Sequence, residues 1–362
     1  MIKGWPVVPE RVAVTAAGPD AEVERGDGVT FGYGADALVV IVEAGDRPGG
    51  SAVDNANTLI LREPLPGVLS RWIHAKNVAG QPLLGFVRTA DGCLALGTLR
   101  QAVSRYDGMD PWTGELGVLT YAELTWPERL PHDLLDLVRP TPVLPVPGIE
   151  WLADVPRDPV GALRSFVTGW YADVPVPPVA PRPAAMRLPS ALLAFHDVAA
   201  GREDVLGRQD HLTPLDEIEY EDDEPLVTFA AENQGVWWAL IDPTEDDPVV
   251  WYDGGPDRLR ERERLSRFLL QFAVKEAVSS APFTGFATVD QRTLDRFVAD
   301  MAPVPLRPMR VPGDPTRLWV TPGLVVEAAD VGEDGIWLNV GSRQRSALRP
   351  LRSRLDWERF NG

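Results

Sequence analysis

The chain has 362 residues, 44% hydrophobic and 24% charged, with a formal net charge of −18 at pH 7. That composition excludes a disordered chain, and the acidity argues against a nucleic-acid binder, because it repels phosphate backbones. A single cysteine, Cys93, excludes an intrachain disulfide and fits a reducing compartment.

No run approaches the roughly 18 consecutive apolar residues of a membrane span. The stretch Met1-Ile2-Lys3-Gly4-Trp5-Pro6 lacks the apolar core of a signal peptide. The expectation is a soluble, cytoplasmic protein with no membrane partner. Lysine occurs only at Lys3, Lys76 and Lys275 in an arginine-rich chain, a usage that suggests a GC-rich bacterial genome. At roughly 100–200 residues per domain, the length predicts two domains.

Residues 1–140 read as a β-rich domain of unknown type. Short β-prone runs at 12–14, 37–43, 58–61 and 83–88 are separated by turn clusters such as Gly26-Asp27-Gly28 and Pro48-Gly49-Gly50. Asp91-Gly92 is a hairpin turn signal. Leu65, Val68, Leu69, Trp72 and Ile73 share one helical face, and a short helix is expected at 133–138. Residues 141–186 read as a proline-rich linker with one helix. That helix starts at Asp158-Pro159 and carries Val160, Leu163, Val167, Trp170 and Tyr171 on one side.

Residues 187–362 give the clearest pattern. A helix at 188–200 ends at Gly201. Strands follow at 226–230, 236–241 and 249–252. A helix at 265–278 presents Leu265, Phe268, Leu269, Phe272 and Ala273 on one face, and another covers 290–301. Strands return at 318–320, 323–328 and 335–340. The fold class expected is α+β.

Several pieces of this half carry a resemblance in their order and spacing. They are Leu188-Pro189-Ser190 opening a helix with Phe195, the run from His211 to Ile218, and the hairpin from Leu226 to Leu240 with Glu232-Asn233-Gln234-Gly235 at its turn. Asp247-Pro248-Val249-Val250-Trp251 and the helix at 265–278 complete it. Together they resemble the SUKH superfamily, which includes bacterial immunity proteins and fungal Smi/Knr cell-wall regulators. The resemblance implies a mainly antiparallel sheet with helices on one face, and a protein-binding role with toxins as typical partners. It supplies no residue-by-residue site, so the analogy is one of fold.

The strongest local feature is acidic. Asp216, Glu217, Glu219, Glu221, Asp222, Asp223 and Glu224 crowd one loop, and Asp242, Glu245, Asp246 and Asp247 the next. They read either as a docking surface for a basic protein, such as a nuclease toxin, or as solvated loops. The spacing does not match a calcium loop. Trp237 and Trp238 point to opposite sheet faces, so one is core and the other is covered or open to a partner. Arg258, Arg260, Arg262, Arg264 and Arg267, interleaved with Glu261 and Glu263, read as an exposed lead-in to the next helix.

Enzyme motifs are missing. His74, His132, His196 and His211 are scattered without metal-ligand spacing. Cys93 has no histidine nearby in sequence. The glycine-rich stretch Gly26 to Gly34 is neither a dinucleotide fingerprint nor a P-loop. The expectation is therefore a non-enzymatic protein-binding module of the immunity type, without cofactor or metal, occluding a partner toxin. The alternatives are a two-domain scaffold and an enzyme with an unfamiliar site. An enzyme would require carboxylates or histidines converging in one cleft.

Overall fold

The computed structural model describes residues 5–45, 50–74, 80–109, 116–140, 145–178, 184, 186–222 and 224–362. Asp223, the Pro48-Gly49 turn and parts of both proline-rich runs lie outside the described residues. The chain clusters into two compact units, Met1–Pro142 and Val143–Gly362. The class is α+β with a β-rich N-terminal part.

The first unit is built on a sheet of nine strands. They are β1 (Val7–Val8), β2 (Glu22–Gly26), β3 (Val29–Tyr33), β4 (Leu38–Glu43), β5 (Ala52–Asn55), β6 (Thr58–Arg62), β7 (Leu83–Thr89), β8 (Gly92–Met109) and β9 (Leu116–Thr125). Their order is β2-β3-β4-β7-β8-β9-β6-β5, with β1 paired to β8. β4 and β7 are parallel and the other pairs antiparallel. Gly28 (φ 71°) and Gly92 (φ 132°) supply the turns between β2 and β3 and between β7 and β8. Helices α1 (Glu10–Thr15), α2 (Gly67–His74) and α3 (His132–Val138) complete the unit. Leu69 and Ile73 of α2 and Leu134, Leu135 and Val138 of α3 are buried against Leu59, Leu83 and Leu124. The apolar face read from the spacing of α2 is thus the one that packs.

In the second unit the segment expected as a linker is part of the core. Helix α4 (Pro159–Trp170) begins where Asp158 Oδ1 accepts a hydrogen bond from Gly161 N at 2.8 Å. It buries Leu163, Phe166, Val167 and Trp170, and Trp151 packs edge-on to Phe166. That much buried apolar surface holds the segment to the domain; an extended tether would leave it in water. Helix α5 (Ser190–Ala199) follows and turns left-handed one residue before the glycine expected to cap it, at Ala200 (φ 49°). Next come α6 (Glu203–Leu206) and the strands β10 (Asp210–Leu212), β11 (Val227–Glu232), β12 (Trp238–Ile241), β13 (Val249–Asp253) and β14 (Leu259–Arg264), consecutive in one antiparallel sheet.

Helix α7 (Leu265–Ser279) runs between that sheet and a second one. The second sheet comprises β15 (Phe283–Val289), β16 (Ala302–Pro303), β17 (Thr316–Thr321), β18 (Leu324–Asp330), β19 (Ile336–Ser342) and β20 (Arg359–Phe360), in the order β16-β17-β18-β19-β15-β20. Phe268 of α7 meets Phe229 and Tyr252 of the first sheet. On the other side, α7 crosses β19 at Gly341, where a Cβ would lie 2.8 Å from Val278 Cα. The far face of the second sheet is covered by α8 (Gln291–Phe297) and α9 (Arg345–Leu348) through Leu294, Phe297 and Leu348. α8 is shorter than the 290–301 expected, although Met301 remains buried.

Two expectations change here. The helix at 265–278 is buried around nearly its whole circumference, not on one face, because a sheet lies on each side. The Arg/Glu run is the strand β14, not an exposed helix lead-in. Alternation turns Glu261 and Glu263 inward, where both are buried. Glu263 Oε1 accepts from Arg307 N at 2.9 Å, and Glu261 Oε2 from Arg310 N at 3.1 Å. The two carboxylates thus fasten the segment before β17 to the edge of the first sheet.

Candidate ligand-binding cleft

Where the two sheets diverge from α7, the second unit holds a cavity of about 1130 Å³. One wall comes from the ends of β11 to β13 with Trp237, Tyr252 and Asp253. The other comes from β15, β18 and β19 with Phe286, Glu327, Trp337 and Asn339, and Lys275 of α7 lies at the base. The alternation of β19 explains the second wall. Ile336, Leu338 and Val340 turn into the core, and Trp337 and Asn339 turn the other way.

The base is a buried charged cluster. The Lys275 ammonium pairs with Asp210 Oδ2 and lies 3.2 Å from Glu276 Oε1. Glu276 Oε2 accepts from the backbone N–H groups of Arg208 and Gln209, both at 2.9 Å. Glu327 Oε2 accepts from Asn339 Nδ2 at 3.0 Å. Burial of these groups in low dielectric is costly unless they compensate one another. Burial opposes the charge on Lys275, but Glu276, Asp210 and Glu327 together raise its pKa, so it is held as the ammonium. Burial pushes Asp210 up to about 6 against the pull of Lys275. Burial also raises Glu327, again opposed by Lys275. Its Oε1 is buried and has no hydrogen-bond partner among the described residues.

At the first wall, Glu232 organises the turn expected at Asn233-Gln234. Its Oε2 accepts from Gln234 N at 2.7 Å and its Oε1 from Gln209 Nε2 at 2.8 Å. Gly235 supplies the positive φ of 71°. Trp237 packs edge-on to Tyr252 at 5.2 Å and is buried, while Trp238 is 41% exposed on the opposite face. The two tryptophans therefore separate as their alternation requires. Trp237 lines the large cleft. Trp238 lies in a second, shallower depression of about 470 Å³ with Glu221, Thr228, Leu240 and Asp253.

The pairing of Val227 with Ile241 brings the two acidic loops to one end of the first sheet. Most of their carboxylates are individually compensated. Glu221 accepts from Thr228 Oγ1 at 2.6 Å, and Glu224 pairs with Arg258. Asp242 accepts from Thr244 N and Oγ1, which lowers its pKa. Glu245 faces Arg264 at 3.5 Å and Asp246 faces Arg187 at 3.6 Å. Asp247 accepts from Ser266 N at 2.8 Å and so caps the start of α7. Glu217, Glu219 and Asp222 are exposed and Asp216 is half-buried. None of these loop residues lines the large cleft.

Sequence reasoning missed the cleft's own polar residues, Asp210, Lys275, Glu327 and Asn339, and the buried Glu276 behind them. One signal was available: a chain that uses arginine elsewhere keeps a lysine inside an apolar helix, next to a glutamate.

No family model and no curated protein matches the chain. A solved structure, that of the DNA modification-dependent restriction endonuclease AspBHI, is similar at 15% identity over 66% of this chain and 67% of that one. Its TM-score is 0.21, and a likeness that slight carries no argument about fold or chemistry.

Proposed function

We propose that this protein is a non-enzymatic binding module whose large cleft takes an extended basic segment of a partner protein. The observation that carries this reading is the cleft itself. Its volume of about 1130 Å³ is bounded by aromatic walls at Trp237, Tyr252, Phe286 and Trp337. The charged side chains lining it are five carboxylates, Asp210, Glu232, Asp253, Asp257 and Glu327, against Lys275 and Arg359. Aromatic anchors with complementary charge are the features that hold a protein segment and speed its approach. The resemblance to SUKH domains supports a protein partner. A toxin as that partner, and an immunity role with it, rests on the resemblance alone.

The test is selection of binders from a random hexapeptide library against the full chain. Selected peptides should carry basic and apolar residues. Trp337→Ala should weaken them about tenfold, the scale of an aromatic hot spot. Trp238→Ala, on the opposite sheet face, should leave them unchanged. The reverse pattern would move the site to the shallow depression beside Glu221, and the absence of any binder would sink the module.

A second reading is an acid–base enzyme. It is favoured by Asp210 and Glu327, both with raised pKa, lining one cleft. It ranks second because Lys275 is held charged, unsuited to act as a nucleophile or base, and already engages Asp210 and Glu276.

A further inference from the structure

Strand register aligns one row of residues across the cleft-facing side of the second sheet. Leu318 of β17 pairs with Glu327 of β18, Glu327 with Asn339 of β19, and Asn339 with Phe286 of β15. Phe286 pairs in turn with Arg359 of β20. Trp337 stands two residues from Asn339 and so shares this face.

Glu327 is the unusual member of the row. It is only 4% exposed, yet it lines the cavity. One carboxylate oxygen is used by Asn339 and the other, Oε1, has no hydrogen-bond partner among the described residues. A buried carboxylate oxygen left unpaired is costly, because nothing offsets its lost hydration. The cluster behind it does not supply the missing donor: Lys275 pairs with Asp210 and Glu276, and no hydrogen bond reaches Oε1 from the described residues. Three buried carboxylates also face one ammonium, so the base of the cleft carries an excess of negative charge. A donor that also brings positive charge would satisfy both deficits at once.

The flanking aromatics suit such a group. The chain's own Arg359 already sets its guanidinium 5.9 Å from the Phe286 ring centre at one end of the row. That distance is within the range at which a cation is drawn to a ring face.

We propose that Glu327 anchors a subsite for one basic side chain of the bound segment, which donates to Oε1 beside Phe286 and Trp337. This deepens the binding-module reading and rests on it. The remaining polar groups of the row are consistent with that role. Asn339 fixes the carboxylate through Oε2, and behind the row Asp210 and Glu276 pair with Lys275.

The experiment uses the tightest hexapeptide selected from the random library against the full chain. It is resynthesised with each arginine replaced by citrulline, or each lysine by norleucine. Affinity is measured by calorimetry for the wild type and for Glu327→Gln, which keeps the side chain's size and an acceptor oxygen but removes its charge. For the wild type, neutralising one basic residue should weaken binding about tenfold or more, the scale of a charge-assisted hydrogen bond. In Glu327→Gln the same swap should have less than about a threefold effect. A circular-dichroism melt of the variant checks that it is folded. Should it not be, Glu327→Asp, which keeps the charge but withdraws it by one methylene, should reduce the discrimination without abolishing it. Peptides selected without any basic residue would overturn both the subsite and the basic-segment reading, whereas equal discrimination by wild type and Glu327→Gln would overturn the subsite alone. A library that yields no binder would overturn both.

Discussion

The acidic loops and the base of the cleft use the same side chains under opposite conditions. In the loops, carboxylates crowd the sequence, yet Glu221, Glu224, Asp242, Glu245, Asp246 and Asp247 each meet a hydroxyl, a backbone N–H or an arginine near solvent. Water and salt damp what remains. At the base of the cleft, three carboxylates and one lysine are scattered over more than a hundred residues of sequence, and all four are buried. Charge density along a chain is therefore a poor guide to electrostatic stake. Burial decides how much each charge matters, and burial is set by tertiary packing.

The sharpest way to break this comparison is to remove the buried cation. Lys275→Met should destabilise the protein by about 3–5 kcal/mol, because it leaves Asp210, Glu276 and Glu327 buried together without their counter-charge. Urea denaturation at pH 7 measures this. The pH dependence has a definite sign. Asp210 is already raised to about 6 with Lys275 present. A carboxyl whose folded pKa lies above its unfolded value stabilises the fold at low pH and loses that contribution as pH rises through the folded value. Without the lysine, the folded pKa rises further. The deficit of the variant should therefore be smaller at pH 4 than at pH 7. A loss below about 1 kcal/mol would mean that water compensates the cluster as freely as it does the loops.

His196 extends the comparison to a buried group that stays neutral. It lies inside α5, 6% exposed, with Nε2 unpartnered among the described residues, and burial pushes its imidazole down to about 4. The unfolded chain takes up this proton near pH 6.5, the fold only near 4. Its contribution is thus complete above pH 6.5 and is lost progressively as pH falls to about 4. The loss should reach roughly 3 kcal/mol. His196→Phe should flatten the stability profile over that window. The difference between the two profiles cancels the titration of the carboxylates. Parallel profiles would mean that His196 reaches solvent when it is protonated.

How much of this was legible in the sequence follows the same division. The helices at 67–74, 159–170 and 265–279 and the three strands around Trp237 follow from periodicity and turn residues, because those signals are local. The separation of Trp237 from Trp238 follows from alternation alone. The cleft does not, because it depends on α7 being covered on both sides. Phe268 and Phe272 announce the first face. Gln271 and Lys275 look like a solvent face, but a second sheet, contributed from β15 onward, lies over them. The same limit governs Arg258 to Arg267. Alternating charges fit an exposed helix or a strand equally well, and Glu261 and Glu263 are buried only because the segment 307–310 offers them backbone donors. The segment 141–186 reads as a linker for a related reason: prolines on either side of α4 signal extended chain locally, whereas α4 packs against α5 and α7, and Trp151 packs onto Phe166 of α4, only in the folded core.

The smallest expected effect tests the other side of the comparison. Changing Glu221 and Glu224 to glutamine and Asp222 to asparagine should alter stability by no more than about 1 kcal/mol, the range of exposed ion pairs. Glu221 keeps an acceptor oxygen for Thr228 as glutamine, and Arg258, the partner of Glu224, also pairs with Asp253 and keeps that contact when Glu224 is neutralised. Binding gives the finer discrimination. These residues do not line the large cleft, so a basic hexapeptide should lose affinity only through the long-range field. That loss should lie in the association rate and vanish once salt shortens the screening length to a few ångströms, near 1 M. A salt-insensitive loss that lies in the dissociation rate would show the loops in direct contact with the ligand, and it would return the binding site to the rim beside Trp238.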